Sequence, residues 1–316
     1  MKEKLEQKLG LAVLENEPMA NHTTFKIGGP AKFFVTVNNR VQLLKCINTA
    51  KEFGLEYFVF GGGSNILVAD KGINILVIKV TADEVEWKKH GLISVFAGNN
   101  LSAFIRDAIE YDLGGLEFAA NIPGTIGGGV YGNAGAYGKG LGDFVEEVEI
   151  LVDEGEEVSL KVLTKEECGF AYRESVFKKN KNWIISEVKF KLSQDEKAED
   201  KLADVKKDWQ KRSCSQPWGK PSAGCSFKNI LFTPELDKYK DWEIKGKLPA
   251  AKFIEEAGLK GQRIGGAMVS DQHANFILND NKATADNVVS LISLVKTRVR
   301  NEFGIQLEEE VQYVGF

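Results

Sequence analysis

The sequence contains few of the residues from which structural metal centres are most often built. Only four cysteines and three histidines occur among its 316 residues. The cysteines lie far apart, with neither a C-x-x-C pair nor a histidine pattern near them, which argues against a structural zinc site and favours a reducing compartment. The apolar run at 288–295 is too short to cross a bilayer, and the charged start at 1–8 is unlike a signal peptide. We therefore expect a cytoplasmic protein without a metal or a membrane segment.

An excess of positive charge is also absent. The formal net charge is −4, which argues against a general nucleic-acid-binding protein. A hydrophobic content of 43% excludes a disordered chain. The length suffices for two or three packed subdomains, and the simplest expectation is a small-molecule partner.

The two commonest nucleotide-binding motifs are missing as well. No G-x-x-x-x-G-K-[ST] sequence occurs, so we do not expect a P-loop nucleotide triphosphatase. Gly127, Gly129 and Gly132 spell G-x-G-x-x-G, but the flanking residues do not predict a strand before the motif and a helix after it. A Rossmann dinucleotide site is therefore not expected.

The sequence does contain two glycine-rich stretches. In residues 121–138 seven of eighteen residues are glycine, and the loop at 61–65 reads Gly-Gly-Gly-Ser-Asn. A flexible connector is one interpretation of the longer stretch, but its interleaved isoleucine, valine and tyrosine residues are untypical of a solvated linker. Main-chain N–H groups without Cβ atoms around them can approach an anion closely. We therefore predict two ordered loops that hold one pyrophosphate.

The periodicity of apolar residues predicts an α+β chain with mixed sheets. Predicted strands lie at 31–37, 57–60, 66–69, 73–80, 92–97, 145–152, 158–163, 183–192, 275–278 and 305–314. Predicted helices lie at 41–53, 101–111, 194–212, 250–257 and 285–303, the last capped by Thr284.

Several motifs in a fixed order resemble the UDP-N-acetylenolpyruvoylglucosamine reductase family. They are His22-Thr-Thr-Phe-Lys-Ile-Gly-Gly-Pro30, Gly61-Gly-Gly-Ser-Asn-Ile-Leu67, Ile122-Pro-Gly-Thr-Ile-Gly-Gly128, Asn133-Ala-Gly-Ala-Tyr-Gly138, Tyr172-Arg-Glu-Ser175, Ser222-Ala-Gly-Cys-Ser-Phe-Lys-Asn229, Ala257-Gly-Leu-Lys-Gly-Gln-Arg-Ile-Gly-Gly266, His273-Ala-Asn-Phe276 and Leu307-Glu-Glu-Glu-Val311. The resemblance covers nearly the whole chain. It implies reduction of UDP-N-acetylglucosamine enolpyruvate with NADPH as co-substrate, in peptidoglycan synthesis and hence cell-wall biogenesis, cell shape and cell division.

The resemblance also implies the fold and its division. An FAD-binding module of the vanillyl-alcohol-oxidase type would comprise subdomains at 1–80 and 81–205. A substrate-binding α+β domain would follow at 206–303, and a strand at 304–316 would return to the active site. The chain is expected to be a monomer.

Non-covalent FAD is the cofactor that the resemblance implies. The cofactor-binding residues carried over from the family motifs are Gly61, Gly62, Gly63, Ser64, Asn65, Ile66, Pro123, Gly124, Thr125, Gly128, Asn133, Ala134, Gly135 and Ala136. Lys228 and Asn229 would contact the substrate.

Three residues match the family's catalytic positions. Arg173 and Glu310 would support the negative charge that develops beside the substrate carboxylate. Cys225 stands where the family commonly has serine as the proton donor, and Ser226 is the alternative donor. A thiol with a reference pKa of about 8.5 is mostly protonated at neutral pH and is a stronger acid than a hydroxyl group.

The spacing between Arg173 and Cys225 is short, so the family's tyrosine-bearing insertion is absent and the chain resembles the compact second type. Two other hypotheses stay open on sequence alone. One is an FAD-dependent oxidase of a sugar or hydroxy acid on the same fold. The other is a catalytically silent flavin- or nucleotide-binding protein.

Overall fold

A computed structural model describes residues 1–82, 85–155, 157–194 and 197–316, with only the main chain of Lys89. The chain divides into two compact units. The first unit comprises 1–17, 31–62 and 74–210, and the second comprises 18–30, 63–73 and 211–316. Two short amino-terminal segments thus belong to the unit that contains the carboxy-terminal third of the chain.

Eight α-helices occur in the described residues. They are α1 (Lys2–Leu9), α2 (Arg40–Glu52), α3 (Leu101–Glu110), α4 (Ile126–Tyr131), α5 (Val176–Lys179), α6 (Ala198–Ser215), α7 (Ala250–Glu256) and α8 (Ala285–Phe303). No helix in this part of the chain is long and apolar enough to cross a membrane.

Nineteen strands, several of them very short, also occur in the described residues. They are β1 (Val13–Pro18), β2 (Pro30–Val37), β3 (Tyr57–Phe60), β4 (Ile66–Val68), β5 (Ile73–Val80), β6 (Val85–Trp87), β7 (Leu92–Phe96), β8 (Gly135–Ala136), β9 (Lys139–Gly140), β10 (Val145–Asp153), β11 (Val158–Thr164), β12 (Trp183–Lys191), β13 (Ser222–Cys225), β14 (Ile230–Leu231), β15 (Lys247–Leu248), β16 (Arg263–Ile264), β17 (Ala267–Val269), β18 (Phe276–Asn279) and β19 (Gln312–Val314).

The described residues of the first unit form two large sheets, each with its own core, and the two-stranded sheet β8-β9. One sheet has the order β1-β2-β5-β3 and packs with α1 and α2 around a core that includes Leu5, Phe33, Leu43 and Ile78. The other has the order β11-β10-β12-β7-β6, is antiparallel throughout, and shares a core with α3 and α4. The period of apolar residues in α3 explains this placement, because all its buried residues lie on one face.

The second unit is organised around an antiparallel sheet of order β13-β18-β17-β16 and the apolar face of α8. Its core also contains Phe25, Ile27 and Leu67 from the two amino-terminal segments. Strand β4 pairs in parallel with β19. The unit is therefore assembled from three separate stretches of sequence.

Most predicted elements are confirmed within a few residues, and two predictions are wrong. The predicted strand at 305–314 is a strand only at β19. Upstream of it, the described chain forms an isolated bridge between Glu309 and Phe227, with Lys228 N–H donating to Glu308 O and Glu310 N–H donating to Ser226 O, and not a continuous ladder. The glycine stretch 121–138, predicted as a loop, contains helix α4. Part of the predicted helix at 194–212, residues 195 and 196, lies outside the described residues, and α6 begins at Ala198.

Candidate functional site

In the first unit, the two glycine-rich turns lie directly against one another. A Cβ atom added to Gly61 would lie 2.1 Å from Oγ1 of Thr125, and one added to Gly62 would lie 2.9 Å from Cα of Gly124. A side chain at Gly61 would displace the side chain of Thr125, and one at Gly62 would press against the main chain of Gly124. The contact places predicted cofactor-binding residues from both loops beside one another.

The amide groups of these turns form a donor set that suits an anion. Within the described part of the chain, the N–H groups of Gly61, Gly62, Gly124 and Thr125 have no hydrogen-bond acceptor. Successive main-chain N–H groups without bulky side chains are a common means of holding phosphate. The pair of turns therefore fits the diphosphate of FAD.

The first amides of α4 are used within the protein. Ile126 N–H donates to Asn99 O (2.9 Å) and Gly127 N–H donates to Ala97 O (2.8 Å). Gly128 N–H donates to Oγ1 of Thr125 (3.3 Å). The amides that remain available to an anion in this region therefore precede α4 and do not belong to its first turn.

Residues 133–136, also predicted to bind the cofactor, form a small hairpin with β9. The Asn133 amide fixes this hairpin, because its Nδ2 donates to Ala171 O (2.8 Å) and its Oδ1 accepts from Gly142 N–H (2.9 Å). Ala134 N–H donates to Gly129 O (2.7 Å). In this structure the Asn133 side chain thus holds the fold of the loop.

Arg173 lies at the tip of a tight turn in the first unit. Ala171 and Glu174 exchange main-chain hydrogen bonds across the turn, and Arg173 has the left-handed φ of 56°. Its Nη1 donates to Gly135 O (3.0 Å), and its own carbonyl accepts from Lys178 Nζ. The turn and these contacts hold the half-buried guanidinium group against the hairpin of residues 135–140.

In the second unit, Cys225 ends strand β13 at an irregularity. Ser222 pairs with Leu278 and Cys225 pairs with Phe276, so three steps along β13 correspond to two along β18. Gly224 supplies the left-handed φ of 76° that this bulge needs. The Cys225 side chain is half-buried and packs against Met268, Phe276 and Leu278, whereas Ser226 is only 2% exposed.

Glu310 is held by its main chain in the second unit. Its N–H donates to Ser226 O (2.9 Å), and its carbonyl accepts from Asn65 Nδ2 (3.1 Å) and Gln312 Nε2 (3.2 Å). The proposed proton-donor segment and Glu310 are therefore directly joined. Asn65, predicted to bind the cofactor, uses its amide for this contact.

The two predicted substrate-binding residues follow the same segment. Lys228 is paired with Glu308, and its side chain is 12% exposed while that of Glu308 is 71% exposed. Asn229 Oδ1 accepts from Ala250 N–H (3.1 Å) at the start of α7. Lys228 thus has a solvent-facing partner that an anionic ligand could replace, and Asn229 helps to fix α7.

The predicted site residues divide between the units. Gly61, Gly62, Pro123, Gly124, Thr125, Gly128, Asn133, Ala134, Gly135, Ala136 and Arg173 lie in the first unit, and Gly63, Ser64, Asn65, Ile66, Cys225, Lys228, Asn229 and Glu310 lie in the second. Gly63 is buried where a Cβ would lie 2.2 Å from His22 O, so it serves close packing within its unit. No group of His, Cys, Asp and Glu side chains in the described residues could hold a metal ion.

Sequence reasoning missed the role of the His273-Ala-Asn-Phe276 motif. Asn275 is 2% exposed and contacts the main chain of Ser226 and Phe227. His273 is half-buried, and burial lowers its pKa below the usual histidine value. The available signal was the motif itself, since a polar pair flanking a buried strand suggests a fixed hydrogen-bond network.

Comparisons with known proteins cover the whole chain. Residues 31–161 match the family described as "FAD binding domain", and residues 216–314 match "UDP-N-acetylenolpyruvoylglucosamine reductase, C-terminal domain". UDP-N-acetylenolpyruvoylglucosamine reductase of Carboxydothermus hydrogenoformans is 40% identical over 316 residues, covering 100% of this chain and 98% of its own. The Bacillus pumilus protein of the same name is 37% identical, with 99% and 97% covered.

A solved structure agrees with these matches. The crystal structure of UDP-N-acetylenolpyruvylglucosamine reductase from Thermus caldophilus has a TM-score of 0.73 and 32% identity, covering 96% of this chain and 98% of that one. The chain belongs to the UDP-N-acetylenolpyruvoylglucosamine reductase family.

Membership of the reductase family confirms the predicted fold class, an α+β chain with an FAD-binding module of the vanillyl-alcohol-oxidase type and a carboxy-terminal α+β domain. The FAD-binding match includes the contacting turns at Gly61–Gly62 and Gly124–Thr125. The reductase carboxy-terminal match includes both Cys225 and Glu310. The predicted four-part domain division and the individual site residues stay predictions.

Proposed function

We propose that this chain catalyses the FAD-dependent reduction of UDP-N-acetylglucosamine enolpyruvate to UDP-N-acetylmuramate, a step of peptidoglycan precursor synthesis. The observation that carries the proposal is the full-length similarity to reductases of that name. The four acceptor-free amides of the contacting turns support it independently, because they suit the diphosphate of the cofactor.

FAD, when bound, supplies hydride chemistry, with NADPH as the proposed source of the electrons. The amides of Gly61, Gly62, Gly124 and Thr125 would hold its diphosphate. The N–H of Gly128 already donates to Thr125, so it is not available to the diphosphate. Gly128 would instead let the cofactor approach closely, because it has no Cβ. These residues would bind and orient FAD, and other residues of the chain would bind the substrate.

Arg173 and Glu310 are proposed to stabilise the charge that develops on the substrate. Hydride addition to the terminal carbon of the enolpyruvyl group leaves an electron pair beside the carboxylate, which resembles an enolate. A guanidinium fork binds a carboxylate and shares such charge, and a protonated carboxyl group can donate to the same oxygens. The turn at 171–174 and the hydrogen bonds to Ser226 and Asn65 support fixed positions for these two residues, each within its own unit.

Cys225 is proposed to deliver the proton that completes the reduction. The carbon beside the carboxylate gains this proton as the thiol becomes a thiolate, which solvent then reprotonates. Supporting this choice over Ser226, Cys225 is half-buried whereas Ser226 is 2% exposed. Lys228 and Asn229 would bind the substrate, with a substrate phosphate competing for Lys228 against the exposed Glu308.

The proposal also covers the co-substrate, the oligomeric state and the location of the enzyme. We infer that NADPH is the co-substrate and that the enzyme acts as a monomer in the cytoplasm on a small-molecule substrate, without nucleic acid. Its role would extend through peptidoglycan synthesis to cell shape and division.

The test is an acceptor-dependent assay with the purified protein. NADPH oxidation should require UDP-N-acetylglucosamine enolpyruvate. The product should be heavier than this acceptor by the mass of two hydrogen atoms. Turnover of a sugar or hydroxy acid with O₂, and none with the enolpyruvyl acceptor, would instead establish an oxidase. A protein that binds FAD and shows neither activity would be a silent flavoprotein.

The proton donor is tested with Cys225→Ser, Cys225→Ala and the neighbouring control Ser226→Ala. We expect Cys225→Ala to lower kcat by about 10²–10⁴-fold, the usual contribution of a positioned acid, while Cys225→Ser retains measurable turnover and Ser226→Ala stays near wild type. The reverse pattern would assign the proton to Ser226. Arg173→Ala and Glu310→Gln should each slow turnover, and wild-type rates in both would contradict their roles.

A further inference from the structure

The buried amide of Asn275 makes contacts that the proposed function does not yet use. Its Oδ1 accepts from Phe227 N–H (2.9 Å), and its Nδ2 donates to Phe227 O (2.8 Å). Its main-chain carbonyl accepts from Ser226 N–H (2.7 Å). One residue thus fixes the main chain of the two residues that follow Cys225.

The same segment is held from its other side by the carboxy-terminal residues. Glu310 N–H donates to Ser226 O (2.9 Å), and Lys228 N–H donates to Glu308 O (2.8 Å). The segment 225–228 therefore lies between Asn275 and the chain that carries Glu310. A displacement of this segment would change the positions of Cys225 and Glu310 together.

Asparagine is the residue type that this position requires. Phe227 presents one donor and one acceptor, and an asparagine amide matches both, whereas an ionised aspartate would set a carboxylate against Phe227 O. Asn275 is 2% exposed, so loss of either contact leaves a polar group without water to replace the partner.

We propose that Asn275 is a positioning residue, which sets the placement of Cys225 and Glu310 for proton delivery and charge stabilisation. The inference rests on the proposed function. A catalytic group must lie within a fraction of an ångström of its productive position, and a 1 Å displacement can lower a rate by about 10²-fold. Asn275 would act through its contacts with Ser226 and Phe227.

Asn279, at the end of the strand β18 that directly follows Asn275, provides a matched control. Its Oδ1 accepts from Ala283 N–H (2.8 Å), and its Nδ2 donates to Phe25 O (3.1 Å) and Lys26 O (3.3 Å). Asn279→Ala therefore removes a comparable set of contacts from β18 without touching residues 225–228. Any general loss of stability should appear in both variants.

The experiment compares the two half-reactions of wild type, Asn275→Ala and Asn279→Ala by anaerobic stopped-flow absorbance, with the melting temperature of each. We expect Asn275→Ala to reduce the flavin with NADPH at the wild-type rate and to be reoxidised by the enolpyruvyl acceptor about 10–10²-fold more slowly. The rate at which iodoacetamide alkylates Cys225, followed by peptide mass spectrometry, should also differ between Asn275→Ala and wild type. Asn279→Ala should match wild type in both half-reactions and in alkylation.

A second variant separates positioning from folding. Asn275→Asp keeps the acceptor for Phe227 N–H and regains a donor to Phe227 O only when the carboxyl group is protonated. Its reoxidation rate, divided by that of wild type at the same pH, should therefore rise as the pH falls.

Wild-type reoxidation and alkylation in a folded Asn275→Ala variant would overturn the inference, as would equal slowing in Asn279→Ala of matched stability. If the acceptor fails to reoxidise wild type itself, the proposed function fails and the inference falls with it. The two failures are thus distinguished by the wild-type trace alone.

Discussion

The hydrogen atom that Gly61 carries in place of a side chain determines how closely two turns approach. Its absent Cβ would lie 2.1 Å from Thr125 Oγ1, the same oxygen that accepts from Gly128 N–H at the start of α4. We predict that Gly61→Ala weakens FAD binding by about tenfold or more, which corresponds to about 1.4 kcal/mol. The measurement is a fluorescence titration of the apoprotein with FAD.

Gly132→Ala is the control for this prediction. Gly132 ends α4 with an ordinary φ of −90°, and its nearest Cβ contact would be 3.7 Å from Gly128 O. The affinity of the Gly132→Ala variant for FAD should equal that of wild type. Unchanged affinity in Gly61→Ala would show that the contact between the turns does not matter for the cofactor.

The half-buried ring of His273 makes the stability of the fold depend on pH. Burial lowers its pKa, the nearby Lys260 lowers it further, and Glu255, which is paired with Lys260 at 2.6 Å, opposes the shift. The ring is neutral when its Nδ1 accepts from Asn275 N–H (3.3 Å). Protonation would remove this acceptor beside the positioning residue.

The lowered pKa predicts a loss of stability on the acid side. As the pH falls through about 6.5, the reference value for an unfolded chain, the unfolded state takes up a proton that the folded state resists. The free energy of unfolding should therefore fall more steeply below pH 6.5 in wild type than in His273→Asn, which keeps an acceptor but does not titrate. Urea unfolding across pH 5 to 7.5 measures this difference, and parallel curves would contradict it.

At the scale of the element, helix α8 shows what the sequence reveals and what it hides. Its apolar stripe and the Thr284 cap were predictable, and Thr284 Oγ1 accepts from Asn287 N–H (3.1 Å). The first two amides, of Ala285 and Asp286, donate to the two carboxylate oxygens of Asp70 at 2.9 and 3.3 Å. No local pattern could identify a cap that lies 215 positions away in the sequence.

We predict that Asp70→Ala destabilises the protein by about 0.5–2 kcal/mol, the usual cost of losing a helix cap. The negative charge beside the positive end of α8 adds to the effect. Chemical denaturation measures the loss, with Lys71→Ala as the control for a change on the adjacent exposed residue. Equal stabilities of the two variants would refute the role of Asp70.

Helix α4 was missed because its composition opposes a helix. Three of its six residues are glycine, which disfavours helix formation by about 1 kcal/mol each relative to alanine. Packing explains the choice at two of them. A Cβ on Gly127 would lie 2.7 Å from Cβ of Ala97, and one on Gly129 would lie 2.6 Å from Leu141 Cδ1. Tertiary contacts therefore explain both the helix and these two glycines. The periodicity of the sequence predicts neither.

At the scale of the whole molecule, the second unit depends on chain that lies far from it in sequence. Phe25, Ile27 and Leu67 are each at most 3% exposed in its core, and β4 supplies the partner of β19. The family motifs indicated the carboxy-terminal domain correctly by similarity. Composition and periodicity could not show that residues 18–30 and 63–73 complete it, because strand partners are set by tertiary structure.

A fragment of residues 211–316 should therefore fail to fold on its own. It lacks three large buried side chains, whose truncation costs about 2–5 kcal/mol each, against a typical total stability of about 5–15 kcal/mol. We expect no cooperative thermal transition by circular dichroism and poorly dispersed amide resonances. A cooperative transition with native-like dispersion would show that the carboxy-terminal stretch is autonomous.

The proposed function requires the chain to pass electrons from NADPH through bound FAD to an enolpyruvyl acceptor. The most direct measurement is an anaerobic visible spectrum of the FAD-loaded protein, recorded before NADPH, after NADPH and after UDP-N-acetylglucosamine enolpyruvate. We predict that NADPH bleaches the flavin band and that the acceptor restores it. A band that NADPH bleaches and the acceptor leaves bleached would contradict the proposed function.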